Sequence, residues 1–393
     1  MAIFEKFREL AAARQTLMES SMDPFNVVIE QILSATEAIV GGRRTILAGT
    51  NNYLGLTFDP RCIDAASQAV QEEGTGTTGS RMANGSFAGH VALERELADF
   101  YGMATGIVFS TGYLANLGIL STLPGKNDVI LLDADCHASI YDGCKLGDAE
   151  VIRFRHNDPA DLEKRLQRLG DRTTRTLIIV EGIYSMLGDR APLAPIAAIK
   201  KQYGAFLLVD EAHSLGVLGK HGRGLAEEAG VEEHVDFIVG TFSKSLGATG
   251  GFCLSRRHEL ELLRYASRPY VFTASPSPSV IASTRMALHI LRTSPDLQTR
   301  LWDNARHLYK ELQSLGFTLG PEPSPVVATI LPKKEQAVAL WNGLLKAGIY
   351  VNLILPPAAP NGASLLRCSV SAAHTEEQIS KICQAFASLK PSP

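Results

Sequence analysis

No apolar run in these 393 residues reaches the length of a membrane-spanning helix. The amino terminus, Met1-Ala-Ile-Phe-Glu-Lys-Phe-Arg-Glu-Leu10, is charged throughout and has no signal-peptide core, so a cytoplasmic protein is expected. Cysteine is sparse: Cys62, Cys136, Cys144, Cys253, Cys368 and Cys383 are scattered, with no C-x-x-C pair. Reduced thiols are expected, and a metal site is not, because histidines and cysteines do not cluster at zinc-ligand spacing. Positive charge is not in excess either, with 38 Lys and Arg against 41 Asp and Glu. A net charge of −3 without a basic stripe gives nucleic-acid binding little electrostatic support. No internal repeat or low-complexity tract stands out.

What is present is a chain that is 45% hydrophobic, enough for a large core in two closely joined domains. Residues 1–45 hold an amphipathic helical pattern, with Phe4, Phe7, Leu10, Ala11 and Leu17 on one face. From 46 to 275 apolar runs alternate with helical patterns, among them Gly106–Phe109, Val129–Leu132, Leu177–Val180, Phe206–Val209 and Phe237–Val239. Such alternation predicts an α/β domain with a mainly parallel sheet. Residues 276–393 read as a smaller α+β domain: one long helix over about 278–315, short strands, and a last helix near 375–389. Pro321-Glu-Pro-Ser-Pro325 reads as a rigid turn.

Two segments carry the chemistry. In Gly240-Thr-Phe-Ser-Lys-Ser-Leu-Gly247, a strand delivers Lys244 to a turn of small and hydroxyl residues. There desolvation and nearby charge can lower its pKa and make the neutral amine a nucleophile, as an imine with an aldehyde cofactor requires. About thirty residues upstream, Ala205-Phe-Leu-Leu-Val-Asp-Glu-Ala-His-Ser214 reads as a buried strand ending in Asp210 and His213. In an open α/β sheet that end faces the ligand. Asp-Glu-Ala-His also occurs in helicases, but the G-x-x-x-x-G-K-[S/T] loop they need is missing. A third segment, Ser110-Thr-Gly-Tyr-Leu-Ala-Asn116, follows an apolar run and opens a helix, so its amides can face an anion.

A strand-end aspartate followed by a Ser/Thr-flanked lysine is the signature of fold-type I pyridoxal 5′-phosphate enzymes, which are aspartate aminotransferase-like. Over nearly its whole length the chain resembles one group of them, the α-oxoamine synthases, and most closely the bacterial serine palmitoyltransferase branch. The resemblance rests on Gly49-Thr-Asn-Asn-Tyr-Leu-Gly-Leu56, Gly74-Thr-Gly-Thr-Thr-Gly-Ser-Arg81 and Asp135-Cys-His-Ala-Ser-Ile-Tyr-Asp-Gly143. It continues through Arg153-Phe-Arg-His-Asn157, Glu181-Gly-Ile-Tyr-Ser-Met-Leu-Gly-Asp189, Arg268-Pro-Tyr-Val-Phe-Thr-Ala-Ser275 and Leu365-Leu-Arg-Cys-Ser-Val-Ser-Ala-Ala-His-Thr375.

The resemblance implies roles. Lys244 forms the Schiff base and then moves protons at the substrate carbon. Asp210 keeps the pyridine nitrogen protonated. His213, with Ser185 nearby, hydrogen-bonds the phenolic oxygen, and His137 stacks on the ring and assists catalysis. Gly112, Tyr113 and Thr241 hold the phosphate, with Thr273 reaching it from the other subunit of a homodimer. Arg367, Asn52 and Tyr53 bind the amino-acid substrate. The reaction implied is a decarboxylative Claisen condensation of an amino acid, L-serine, with a long-chain acyl thioester, carried on CoA or an acyl carrier protein. From palmitoyl-CoA the product is 3-ketosphinganine.

Another α-oxoamine synthase activity, such as that of 8-amino-7-oxononanoate synthase or 2-amino-3-ketobutyrate CoA ligase, stays open. So does a non-catalytic partner subunit of the same fold, and peripheral membrane contact. Two positions depart from the branch: Leu355 stands where an arginine is expected before Pro356-Pro357, and Asn51 where part of the branch has tyrosine. His90, His156 and His221 are expected to be solvated or structural, Gly222-Arg-Gly224 a structural turn, and Cys136 and Cys368 small buried side chains.

Overall fold

The computed structural model describes residues 2–20, 23–356 and 358–390, so Pro357 of the Pro356-Pro357 loop lies outside them. Seven strands form the central sheet in the order Thr105–Phe109, Gly251–Ser255, Phe237–Thr241, Phe206–Asp210, Thr176–Glu181, Val129–Asp133 and Glu150–Phe154. Only Gly251–Ser255 runs antiparallel to its neighbours. The interior strands are buried on both faces because helices cover both, which is why they read as continuous apolar runs rather than alternating ones. Four of the parallel strands turn polar at their last residue: Asp133, Glu181, Asp210 and Thr241. Their carboxyl ends therefore gather three carboxyl groups and a hydroxyl along one rim of the sheet, where open α/β folds bind ligands.

A second core lies under two smaller sheets. One is fully antiparallel and runs Thr318–Leu319, Val326–Leu331, Ser364–Ser369, Asn352–Ile354. In the other, the amino-terminal strands Glu37–Val40 and Arg43–Leu47 form a hairpin, and Arg43–Leu47 pairs in parallel with Ile349–Tyr350. Both ends of the chain thus build one core, in which Val40 and Leu47 meet Trp341, Leu366 and Phe386.

The helix expected over 278–315 is two helices, Pro278–Thr293 and Asp296–Ser314. Pro295 disfavours the helical conformation at Ser294, and the chain breaks there. The first of the pair packs on Pro60–Glu73 and places Ile281, Leu288 and Leu291 in the large core. The second crosses over, with Leu301 in the large core and Ala305, Leu308 and Leu312 in the small one. At the amino terminus a short 3₁₀ turn, Ala2–Phe7, leads into the helix Arg8–Ser20. Leu17 is buried, whereas Phe4, Phe7 and Leu10 are exposed.

Candidate active site

A cavity of about 290 Å³ opens at the polar strand ends, lined by Gly112, Tyr113, Asn116, His137, Glu181, Asp210, His213, Thr241 and Lys244, among others. Seven of the residues singled out from the sequence meet here, although they come from segments more than a hundred residues apart. Lys244 follows directly on the Phe237–Thr241 strand. Lys244 is half-buried, and desolvation pulls its ammonium down to about 8, while Asp210 and Glu181 favour the charge. A fraction of neutral amine near neutral pH is therefore built into the site.

Asp210 is held from two sides, by the Ala212 N–H on Oδ1 at 2.9 Å and the Asn116 side-chain amide on Oδ2 at 2.8 Å. Asn116 is a polar residue on the helix Gly112–Leu120. Its Nδ2 also donates to Ser139 Oγ at 3.0 Å, and its Oδ1 is buried without a partner. His213 Nδ1 meets the Tyr53 hydroxyl at 2.7 Å. Burial, reinforced by Lys244 and Arg367, holds His213 well below the usual imidazole range.

His137 caps the helix Ala138–Leu146: its Nδ1 accepts from the Ser139 N–H at 3.2 Å and lies 2.8 Å from Ser139 Oγ. With Nδ1 an acceptor, the ring proton of the neutral imidazole sits on Nε2. Burial lowers the His137 pKa, against the pull of Asp210. Its backbone N–H donates to Glu181, a fully buried carboxyl raised well above the usual range by desolvation and by Asp210.

The helix Gly112–Leu120 points its amino terminus at the same cavity. Thr111 Oγ1 accepts from Leu114 N–H at 3.0 Å, while Gly112 and Tyr113 have N–H groups with no intrahelical acceptor. The approach is tight: a Cβ on Gly112 would lie 2.8 Å from Thr241 Cβ, and one on Gly251 2.5 Å from Gly112 Cα. Thr241 Oγ1 donates to the Gly250 carbonyl at 2.9 Å and lies 2.9 Å from Ser243 Oγ.

Arg367 comes from the small unit, on the strand Ser364–Ser369. Its Nη1 donates to the Ser185 carbonyl at 2.7 Å, its Nη2 reaches Asn51 Oδ1 at 3.5 Å, and its Nε is buried without a partner. Ser185 thus meets Arg367 through its backbone and is absent from the cavity lining. Asn52 donates to Thr57 Oγ1 at 2.8 Å and leaves Oδ1 buried and unpartnered. Thr273 does not line the cavity of the single chain. Leu355 is buried in the small core beside Leu353.

Sequence reasoning passed over Asn116, Glu181 and Ser139 as site residues, and treated Asn51 only as a departure. In the structure Asn51 Oδ1 also accepts from Ser369 Oγ at 3.1 Å. A polar residue inside the apolar helix Gly-Tyr-Leu-Ala-Asn-Leu-Gly-Ile-Leu was the available signal for Asn116. His156, expected to be solvated or structural, is structural. It lies between Asp133 and Asp189, at 2.8 and 2.7 Å, because the turn after the Glu150–Phe154 strand sits between the end of the Val129–Asp133 strand and the loop that follows Thr176–Glu181. Glu211 of the Asp-Glu-Ala-His segment turns away from the cavity. Burial raises its carboxyl to about 7, and it accepts from the Leu225 and Ala226 N–H groups at 2.9 and 3.0 Å.

A family model described as aminotransferase class I and II matches residues 44–386. The chain belongs to that family. A serine palmitoyltransferase of Caulobacter vibrioides is 59% identical over 386 residues, covering 98% of this chain and 96% of its own. One from Sphingomonas paucimobilis is 51% identical over 387 residues, covering 98% and 92%. A solved serine palmitoyltransferase with its pyridoxal phosphate internal aldimine superposes with a TM-score of 0.96 at 51% identity, covering 98% of both chains. The fold is therefore the fold-type I, aspartate aminotransferase-like architecture.

The residues present fit pyridoxal phosphate. A half-buried lysine of lowered pKa suits its aldehyde, a buried carboxylate suits a pyridinium nitrogen, and helix N–H groups beside hydroxyls suit its phosphate.

Proposed function

We propose that the protein is a pyridoxal phosphate-dependent acyltransferase that condenses L-serine with palmitoyl-CoA, giving 3-ketosphinganine, CoA and CO2. The observation that carries this reading is the enclosure of Lys244 with Asp210, while Arg367 reaches toward the same site from the other unit. When bound, the cofactor supplies an electron sink for charge that develops at the amino acid's Cα.

Around it the protein's own groups act as follows. Gly112 and Tyr113 N–H groups and the Thr241 hydroxyl would hold the phosphate, and Asp210, fixed by Asn116, would hold the ring nitrogen. His213, oriented through Nδ1 by Tyr53, would hold the cofactor's phenolic oxygen. Arg367 takes the substrate carboxylate in its guanidinium fork. Lys244, as the neutral amine, removes the Cα proton and later returns one. His137, whose Nδ1 is held by the Ser139 N–H, would cover the cofactor ring and donate its Nε2–H to the thioester oxygen.

The bond formed joins the serine Cα to the acyl carbonyl carbon. The bonds broken are the thioester C–S bond, whose sulfur leaves as the thiol, and the bond from Cα to the carboxylate, which leaves as CO2. Arg367 has to release that carboxylate as it departs. A contact that neutralises without a covalent bond allows this.

We further infer a homodimer in which Thr273 completes the partner's phosphate site. Supporting it, Phe272 and Tyr265 are 74% and 73% exposed in the single chain, a large apolar surface beside that segment. A cytoplasmic location is proposed from six buried free thiols. Among the described residues no helix is long and apolar enough to cross a membrane. The test is a matrix of serine, alanine, glycine and threonine against short and long acyl-CoA and acyl carrier protein thioesters. Serine with palmitoyl-CoA is expected to be fastest. Faster turnover of alanine with pimeloyl thioester, or of glycine with acetyl-CoA, would replace the serine reading by another α-oxoamine synthase activity.

A further inference from the structure

A buried ionic cluster close to the site has no part in the mechanism above. Asp133 ends the Val129–Asp133 strand and is fully buried, and its Oδ1 lies 2.8 Å from His156 Nδ1. On the other side of the ring, Nε2 lies 2.7 Å from Asp189 Oδ2. Both carboxylates can only accept, so the imidazole satisfies both only when each nitrogen carries a proton. The ring is therefore an imidazolium. Burial opposes that charge, but the two aspartates overcome it and raise the pKa to about 10. Asp135 adds a third carboxylate at 4.0 Å.

Asn157 closes the cluster. Its backbone N–H donates to Asp133 Oδ2 at 2.8 Å and its side-chain amide to Asp189 Oδ2 at 2.8 Å. It adopts φ +53°, a left-handed conformation that asparagine tolerates better than most residues.

The two aspartates anchor different halves of the active site. Asp133 Oδ1 also accepts the Asp135 N–H at 2.9 Å, two residues before His137. Asp189 closes a tight loop: its carbonyl accepts the Tyr184 N–H at 2.8 Å, and the Gly188 N–H donates to the Tyr184 carbonyl at 3.0 Å. The Tyr184 ring stands edge-on to His156 with centroids 4.5 Å apart. The next residue is Ser185, whose carbonyl receives Arg367 Nη1 at 2.7 Å.

We propose that His156 is a positioning residue: it clamps the Tyr184–Asp189 loop to the end of the strand that leads to His137, and through the Ser185 carbonyl aims Arg367 at the substrate carboxylate. The proposal rests on the serine-binding reading above. It differs from a purely structural role because it acts on one substrate group. Removing the clamp frees the Ser185 carbonyl to shift, and a guanidinium fork that is mis-aimed loses its second hydrogen bond to a carboxylate. Asp210 and His213, given above as holding the cofactor that takes the amine, are supported by Asn116 and Tyr53 and keep those supports.

The experiment uses the holoenzyme and the absorbance of its bound cofactor to titrate L-serine and ethanolamine, which is serine without the carboxylate. For His156→Ala, serine affinity should fall about 10-fold while ethanolamine affinity stays within about 2-fold, because Asp133 keeps its bonds to the Asp135 and Asn157 N–H groups and the carboxylate contact alone is disturbed. His156→Gln returns one donor and should recover part of the loss. Cofactor content and the thermal midpoint are measured alongside. Should His156→Ala not accumulate as folded protein, Asp189→Asn keeps the shape, removes the charge and carries the same expected pattern. Unchanged serine affinity, or an equal loss for both ligands, in a folded variant overturns the positioning role. A wild-type enzyme that binds no serine overturns the functional reading, and the positioning role with it.

Discussion

The pKa of Lys244 can be measured in the protein freed of cofactor, and its expected value follows from where the side chain sits. Desolvation lowers it to about 8 from the ordinary 10.5, even with Asp210 and Glu181 nearby. At pH 7 an amine of pKa about 8 is roughly 10% neutral, whereas one at 10.5 is about 0.03% neutral, a ratio of about 300. Competitive labelling with acetic anhydride over pH 6–11, read by mass spectrometry of the Lys244 peptide, gives the titration as a ratio to exposed lysines. The labelling rate should rise tenfold per pH unit and level off near pH 8, while exposed lysines continue to climb. Asp210→Asn should move the midpoint lower, since Asp210 favours the charged form.

The same shift has a stability consequence with a definite sign. Between about 8 and 10.5 the unfolded chain binds the proton that the folded one has lost, so stability rises with pH there. Below that window the folded state carries a desolvated charge at a cost of about 3 kcal/mol. Lys244→Met should therefore stabilise the cofactor-free protein at pH 7, and the advantage should shrink toward pH 10.5. A Lys244 labelling rate that still climbs tenfold per unit above pH 9.5 would refute the desolvation argument.

Borohydride should fix the cofactor onto Lys244, and mass spectrometry finding it on another lysine would end that assignment; Lys244→Ala should lower turnover by orders of magnitude. Arg367→Ala should weaken serine binding about 10- to 150-fold, the worth of a charged hydrogen bond of about 1.5–3 kcal/mol, because Leu355 is buried elsewhere and offers no replacement. An Arg367→Ala enzyme with wild-type serine affinity would remove it from the carboxylate site. Phe272→Asp should yield a monomer without activity in sedimentation and turnover assays; a monomeric, fully active variant would refute the shared-site dimer.

Local motifs were legible, and long-range partnerships were not. Asp210, His213 and Lys244 stand at the ends of apolar strands, where a period and its interruption can be read within ten residues. The parallel sheet followed from the same runs. Asn116 depends on Asp210, 94 positions away, and nothing near either one announces the pair. His156 shows the limit more sharply. Its partners lie 23 and 33 positions away, one at a strand end and one in a loop, and an isolated histidine is a weak signal. The expected long helix failed for a simpler reason: Pro295 was passed over inside a strong helical pattern. Leu355 could be recognised as a departure from the sequence, but only packing shows that it serves the small core.

The pairing of Arg43–Leu47 with Ile349–Tyr350 has a consequence for synthesis. The hairpin formed by Glu37–Leu47 leaves the ribosome early, yet the strand that covers its edge is encoded about 300 residues later. At about 5–20 residues per second, that edge waits roughly 15–60 s without its neighbour. The large sheet, by contrast, is complete once Ser255 has emerged. The pocket for the cofactor is thus made well before the strand bearing Arg367, and the nascent chain carries an unsealed sheet edge through that interval. Binding of a chaperone to stalled chains should be strongest while that edge is open and should fall once residue 350 is outside the tunnel.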